Sequence, residues 1–289
     1  MSQPQSAALV QTYLSSLYEY SPEMAFSLGL LQYAGRVSDP SSGVRNARIA
    51  ELQSLQRRMS EVSPGDLQSL ERFDLELARS GLEYELYQLR DLREYEWNPM
   101  AYLSSVEISA YAKRSYAPLE QRARDMVAHL RAVPDYLATA SGNLRPDLAR
   151  PILELAIEAT DGHLAYLRGE AQDTVSGVTD RALPGEFRDA SAAAAAALED
   201  FAAGLRERLP HANGEFAIGR ECYEAMLRCG ELVDLPLDRV LEVGEADLQR
   251  NQELLRETVQ RIVPGGNVEE TMRSLGREHP SADRLVPET

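Results

Sequence analysis

Histidine is scarce in this chain, and its few copies stand far apart. The four are His129, His163, His211 and His279. They form no His-Glu-x-x-His motif, and no two of them lie at helical spacing. The sequence also has no metal-binding cysteine knuckle, no glycine-rich phosphate loop and no nucleophile elbow. The residues themselves therefore predict no metal ligand and no catalytic residue.

Lysine and long apolar runs are also nearly absent. Lys113 is the only lysine, and 30 basic residues face 46 acidic ones, which gives a net charge of -16. Such a chain repels phosphate backbones and anionic membranes, so neither nucleic acid nor membrane is expected as a partner. No apolar run approaches the roughly 20 residues that span a bilayer, and residues 1–6 lack the features of a signal peptide. The sequence predicts a cytoplasmic protein.

Two cysteines, Cys222 and Cys229, lie in a segment with helical periodicity. Two turns of helix separate them by about 10.5 Å along the axis. A disulfide requires Cα atoms within about 7 Å of each other. Both are therefore predicted to be free, small core residues in a reducing compartment.

Helical periodicity dominates the whole chain, and alternating strand patterns are nearly absent. The predicted fold is all-α, a multi-helix array of about ten to twelve helices with one long helix near 64–95. On that helix, apolar and small residues recur every three or four positions and predict one continuous buried stripe. The stripe consists of Leu70, Phe73, Leu77, Ser80, Tyr84 and Tyr87.

A polar, glycine-containing segment at 169–184 is the best candidate for an internal boundary. It predicts an N-terminal helical subdomain over 1–168 and a second helical segment over 185–289. After Pro280, residues 281–285 have the pattern of a new helix, and the chain ends before such a helix could bury a face. The second segment is therefore expected to be truncated at its C-terminal end.

Two histidines deserve separate interpretations. Asp125 and His129 are spaced i, i+4 on the polar side of their helix, which fits half of a metal site or, more simply, a solvated surface pair. His163 lies on an apolar stripe, where it could serve as a ligand or base in a cleft. The simpler interpretation is a core histidine that is hydrogen-bonded to a neighbour.

Aromatic residues are concentrated between 84 and 116, a segment that holds Trp97, the only tryptophan. Tyrosine and tryptophan offer an apolar body and a polar tip, which suits the lining of a peptide or sugar groove. Their alternative role is half-buried packing between helices. In a later segment, Glu221 is a candidate buried acid and Tyr223 a candidate proton donor. The alternatives are a structural ion pair and a core tyrosine. The candidate substrate-binding residues are Tyr84, Tyr87, Trp97, Tyr102, Glu221 and Tyr223.

Several segments together resemble the bacterial domain-of-unknown-function family 885. In the N-terminal part they include Pro-Glu-Met-Ala at 22–25, Arg-Val-Ser-Asp at 36–39 and Trp-Asn-Pro-Met-Ala-Tyr-Leu at 97–103. Later matches are Val-Pro-Asp-Tyr-Leu at 133–137, Phe-Ala-Ile-Gly-Arg-Glu at 216–221 and Gly-Glu-Ala-Asp-Leu at 244–248. Each piece is short, and their order and spacing over nearly the whole chain make the match specific.

The resemblance implies more than the residues do. Members of that family are typically about twice this length, almost wholly helical, and similar to zinc metallopeptidases with His-Glu-x-x-His on a helix. In the family this motif lies in the C-terminal half, whereas the present chain matches the N-terminal half. The resemblance therefore implies a helical wall of a substrate cleft, no cofactor in this chain, and zinc only in the missing C-terminal half.

Two functions of different classes follow. The first is the N-terminal portion of a metallopeptidase-like hydrolase, inactive alone, whose partner is a C-terminal half or second subunit. The second is a stand-alone helical protein that binds a peptide or small ligand. An incomplete half would expose an apolar face, so a homodimer through that face is a further expectation.

Overall fold

The computed structural model describes residues 5–63, 69–212, 214–281 and 284. These residues form helices and connecting loops, and no strand occurs among them. The prediction of an all-α multi-helix array is therefore confirmed. The described residues include no helix long and apolar enough to cross a membrane.

The α-helices vary from single turns to long rods. In chain order they are α1 (Gln5–Tyr20), α2 (Pro22–Ser27), α3 (Ser42–Ser60), α4 (Ser69–Leu86), α5 (Glu94–Trp97), α6 (Met100–Leu103), α7 (Ser109–Lys113), α8 (Leu119–Asn143), α9 (Arg150–Arg168), α10 (Glu170–Asp173), α11 (Leu183–Arg208), α12 (Arg220–Gly230), α13 (Leu237–Ile262) and α14 (Val268–Leu275). A π-helical segment, Tyr87–Leu92, continues α4, and short 3₁₀ turns lie at Leu31–Tyr33, Ser104–Val106 and Leu209–His211.

The long helix predicted near 64–95 corresponds to α4 and its π-helical continuation, while 64–68 lie outside the described residues. Its predicted buried stripe is wrong over the first turns. Leu70, Phe73 and Leu77 are 71%, 60% and 57% exposed. The helix carries two apolar stripes, and the packed one lies on another face. That stripe consists of Leu75, Ala78, Leu82 and Leu86.

Two hydrophobic cores explain this choice. The smaller core joins α1, α3 and α4 through residues such as Leu9, Leu52 and Leu82, so α4 turns its Leu75–Leu86 stripe towards α1 and α3. The larger core is centred on α8, α9 and α11, where Phe187, Leu153 and similar side chains are fully buried. Burial of each such side chain contributes about 1.5–3 kcal/mol.

Helix α8 runs without interruption through Pro134, although a proline inside a helix usually kinks or ends it. Proline removes one backbone hydrogen bond and crowds the preceding turn, at a cost of about 3 kcal/mol. Here Val133, Tyr136 and Leu137 are buried on both sides of it, and this packing holds the helix together.

The chain forms two compact units, Met1–Leu232 and Val233–Thr289. The segment 169–184, predicted as a linker, lies inside the first unit, where Ala171 and Val175 are buried in the larger core. The predicted domain boundaries at 168 and 185 stay predictions, because a compact unit is not by itself an independently folding domain.

The second unit consists mainly of α13 and α14. Asn267 caps α14 by accepting a hydrogen bond from the Glu270 backbone N–H at 2.8 Å. Val259 and Thr271 are the buried residues of these two helices. A long row of leucines and other apolar side chains on α13 is left exposed.

Candidate functional site

The six predicted binding residues occupy separate places in the structure. Tyr84 and Tyr87 lie together, where α4 and its continuation face α12. Trp97 lines a small cavity beside Phe216 and Cys222. The other three lie elsewhere. Tyr102 is buried and lines another cavity, Glu221 is exposed, and Tyr223 is 41% exposed. The structure thus does not bring the six predicted residues together in one site.

A groove of the first unit lies between α1, α4 and α12. Its volume is about 560 Å³, and most of its lining is apolar. One wall comes from α1, another from α4, and the third from the end of α12 and the residues after it. The lining includes Val10, Tyr13, Leu14, Asp74, Leu77, Ser80, Tyr84, Cys229 and Leu232. A groove of this size and polarity accommodates apolar side chains of a peptide or a small amphiphile.

Helix α12 is held against α4 by side chains that bond to its backbone. The Tyr87 hydroxyl donates to the Cys222 carbonyl oxygen at 2.8 Å, and the Ser80 hydroxyl donates to the Cys229 carbonyl oxygen at 3.1 Å. At Gly230 the backbone approaches the Tyr84 ring so closely that an added Cβ would lie 2.8 Å from a ring carbon. Both cysteines are free and half-buried, so they pack less deeply than predicted.

Burial raises the pKa of two tyrosines, Tyr13 in the groove lining and Tyr87 beside the lining residue Tyr84. Burial raises the pKa of Tyr87 to about 12, with smaller effects from neighbouring groups such as Cys222. Burial and then the charge of Glu85 raise the pKa of Tyr13 above its usual range. Both phenols stay protonated at neutral pH and can donate hydrogen bonds. Asp74 is the carboxylate in the lining, and Tyr13, Ser80 and Tyr84 add hydroxyl groups to it.

The groove continues into an exposed apolar surface on α4. Leu70, Phe73 and Leu77 project from successive turns, and Leu77 also lines the groove. Surface leucines scattered singly are ordinary, whereas a contiguous row beside a groove indicates a binding surface. The helical spacing of this row predicts a buried core stripe, whereas the structure leaves the row exposed.

The histidines take structural positions. His129 is 2% exposed, so the expected surface pair with Asp125 is wrong. Asp125 instead accepts hydrogen bonds from the Tyr116 hydroxyl and the Gln121 amide, each at 2.8 Å. His163 is largely buried, with Nδ1 3.8 Å from a Glu107 carboxylate oxygen, which agrees with a core histidine beside a polar neighbour.

Within the described part of the chain, no three His, Cys, Asp or Glu side chains come together to hold a metal ion. The zinc that the family resemblance implies therefore has no ligand set among these residues, and no reaction step through a metal is derived for them.

The family model for "Bacterial protein of unknown function (DUF885)" matches residues 22–289. The chain belongs to this family. No curated protein shows significant similarity to this DUF885 chain. The match covers the Trp97 cavity, the α4 and α12 walls of the groove and the second compact unit, and it leaves out α1 with its groove residues Val10, Tyr13 and Leu14.

A solved structure from Shewanella oneidensis has a similar fold. Its title calls it a "putative lipoprotein of unknown function". The TM-score is 0.79 at 20% sequence identity, and the match covers 99% of the present DUF885 chain. The chain spans 55% of that relative's length, so the relative contains much additional polypeptide.

The bond from Tyr87 to α12 gives a direct test of how the groove is built. We expect Tyr87→Phe to lower the free energy of unfolding by about 0.5–1.5 kcal/mol, because the Cys222 carbonyl loses its donor. Backbone amides of α12 should exchange with deuterium faster, which hydrogen-exchange mass spectrometry measures. Tyr223→Phe is the matched control, because Tyr223 lies on the same helix and is exposed. Equal exchange in the two variants would contradict the role of Tyr87.

Proposed function

We propose that this DUF885 chain is the N-terminal helical portion of a zinc metallopeptidase-like protein. In this proposal its helices form a wall of the substrate cleft. The catalytic motif and the zinc belong to a C-terminal half, and the chain alone is inactive as a peptidase. The metallopeptidase part of the proposal rests on the resemblance of the sequence to this family.

The observation that carries the proposal is the unpartnered apolar stripe of α13. Leu241, Leu248, Leu255 and Ile262 repeat every two turns and are 61%, 58%, 40% and 52% exposed. A regular stripe of this kind is typical of a helix that packs against another element. On α14, Met272 and Leu275 are also exposed.

The proposed occupant of this stripe is the C-terminal half. The Shewanella relative supports this choice, because its fold matches nearly all of the present chain and its polypeptide is much longer. A corresponding additional polypeptide is the proposed element that covers the exposed apolar surface of α13. A second copy of the chain is the competing occupant, and sedimentation distinguishes it.

The groove between α1, α4 and α12 supports the substrate part of the proposal. It offers an apolar surface for peptide side chains and hydroxyls that can hydrogen-bond to a peptide backbone. The same groove is also the observation that favours the alternative, a stand-alone helical binding protein or partner subunit. The two proposals differ in whether a catalytic half exists.

The decisive experiment compares two products of the same gene. If the reading frame continues past residue 289, we expect the longer product to hydrolyse peptides with zinc and to lose this activity to a chelator. The 289-residue chain should bind zinc weakly and show no such activity. Chelator-sensitive hydrolysis by the 289-residue chain itself would refute the proposal, and a frame that stops at 289 would favour the binding alternative.

A variant pair tests the cleft wall in the longer product. Leu77→Arg places a charge in the groove and should raise KM for apolar peptides at least about tenfold while kcat changes little. Leu155→Arg is the matched control, because Leu155 is a similarly exposed leucine on α9 (53%). Equal KM values in the two variants would show that the groove does not contact substrate.

Oligomeric state and location complete the proposal. If a second copy of the chain covers the α13 stripe, sedimentation at several concentrations will show association, and Leu248→Glu will reduce it. A strictly monomeric chain would count against a homodimer and leave the C-terminal half as the occupant. The predicted cytoplasmic location stays a prediction, which fractionation of cells that express the full gene tests.

A further inference from the structure

Besides the groove between α1, α4 and α12, the first unit contains a polar cavity that is lined by Arg45. Among the described residues this buried arginine has no carboxylate partner. We propose that this cavity binds a small organic monocarboxylate, with the Arg45 guanidinium as its anchor. The proposal concerns a ligand site that neither the family match nor the cleft proposal assigns.

Arg45 is 8% exposed and lies in the first turn of α3. Its Nη1 donates to the Pro40 carbonyl oxygen at 3.2 Å, and its guanidinium carbon lies 3.5 Å from the centre of the Tyr95 ring. Among the described residues no carboxylate lies within ion-pair distance of it. The backbone bond and the aromatic face hold the guanidinium in place and leave other N–H donors unused.

This situation is unusual for a buried charge in the same chain. Arg48, one turn later on α3, is equally buried and is bonded to the carboxylates of Glu85 and Glu51. Charged side chains that are this largely shielded from water are normally paired with an opposite charge. A bound anion would complete the environment of Arg45.

The cavity has a suitable size and lining. Its volume is about 200 Å³, comparable to six or seven water molecules at about 30 Å³ each. Hydroxyl groups dominate its polar surface, and Leu89, Pro40 and Ala101 supply an apolar patch. The lining hydroxyls belong to Tyr20, Ser21, Ser38, Tyr95, Tyr102, Ser104, Ser105 and Tyr136.

The neighbouring charges select the type of anion. Asp39 also lines the cavity, and its Oδ1 accepts a hydrogen bond from the Ser41 backbone N–H at 2.8 Å. Nearby, Glu85 is paired with Arg48, and Glu23 accepts hydrogen bonds from Ser38. The carboxylate of Asp39 repels a phosphate dianion more strongly than it repels a monoanion, so the single positive charge of Arg45 favours the monoanion. A planar monoanion that accepts two parallel N–H bonds fits this fork.

Titration of the ¹⁵N-labelled chain with propionate, followed by ¹H–¹⁵N correlation spectra, tests the site. Propionate should produce saturable shifts of the Arg45 Nε–Hε signal and of amides around Ser38 and Ser105. Propionamide, which has the same shape without the charge, should bind at least about tenfold more weakly, and inorganic phosphate should also bind more weakly. Equal binding of propionamide, or tighter binding of phosphate, would overturn the carboxylate assignment.

Variants locate the site. Arg45→Met should weaken propionate binding at least tenfold, whereas Arg58→Met, an exposed arginine later on α3, should leave it unchanged. If Arg45→Met does not fold, Ala101→Phe serves instead, because it fills the mouth of the cavity and keeps the arginine. Undiminished propionate binding by the folded Arg45→Met protein, or by Ala101→Phe, would refute the proposal.

Discussion

Replacing Arg48 with methionine is expected to lower the free energy of unfolding of the first unit by about 3–5 kcal/mol. Arg48 is 3% exposed and bonds to Glu85 through two parallel contacts of 2.7 and 2.9 Å. Its Nη1 also donates to the Ser16 hydroxyl and to Glu51, at 2.7 and 2.8 Å. The substitution leaves the largely buried Glu85 carboxylate without a counterion between α3 and α4.

Urea unfolding followed by the fluorescence of Trp97 measures this loss, because the only tryptophan lies in the first unit. Arg124→Met is the matched control. Arg124 pairs with Asp180 at 3.0 Å on the surface, so its loss should cost less than about 1 kcal/mol. The double variant Arg48→Met, Glu85→Met should recover much of the stability, because it removes both charges. A loss below about 1 kcal/mol in Arg48→Met would contradict this account.

Lowering the pH from 6.5 to 4 is expected to destabilise the first unit by roughly 3 kcal/mol through His129 alone. Burial lowers the pKa of His129 from 6.5 to about 4, and the nearby Ser105 backbone and Glu107 oppose this effect only slightly. Between these pH values the unfolded chain binds a proton at this residue and the folded chain does not. Stability is therefore complete above pH 6.5 and declines as the pH falls.

The surroundings of His129 explain its neutral ring. The Tyr111 hydroxyl accepts a hydrogen bond from the Gly35 N–H at 3.0 Å and lies 3.1 Å from His129 Nδ1. Burial raises the pKa of Tyr111, so its O–H stays available to donate to Nδ1. Nε2 makes no hydrogen bond of regular geometry. A proton added to the ring would find no nearby carboxylate in direct contact.

The measurement compares urea unfolding of wild type and His129→Phe at several pH values between 4 and 7. Carboxylates titrate in both proteins, so the difference between their pH slopes isolates the histidine. We expect the variant to lose less stability on acidification, and His211→Gln, at an exposed loop position, to follow the wild type. Parallel curves for wild type and His129→Phe would show that His129 does not titrate differently on folding.

Local patterns predicted the helices well because a helix is defined by contacts within four residues. The all-α fold and the long helix near 64–95 were both predicted from such patterns. The same patterns could not show which of two apolar faces on α4 is buried. That choice depends on α1 and α3, which approach from distant parts of the chain and cover the Leu75–Leu86 stripe.

The candidate site shows the same limit. Composition predicted Tyr84, Tyr87 and the segment around Tyr223 as binding residues, which stays a prediction, and the structure brings the first two against α12. It could not show that Glu221 and Tyr223 face away, because this depends on the rotation of α12 against α4. No sequence pattern distinguishes Arg45 from the many other arginines. Its burial and its missing carboxylate partner depend on the tertiary structure.

The sequence by itself determined an all-helical, acidic protein of the DUF885 family, because helical periodicity, net charge and ordered short motifs are properties of the chain. Only the tertiary structure decided where its histidines and arginines lie. His129 changed from an expected surface residue to a buried neutral one, and Arg45 became a cation in a polar cavity. The physical reason is that burial and pairing depend on helices far apart in sequence, and these two properties set the energy of every charge.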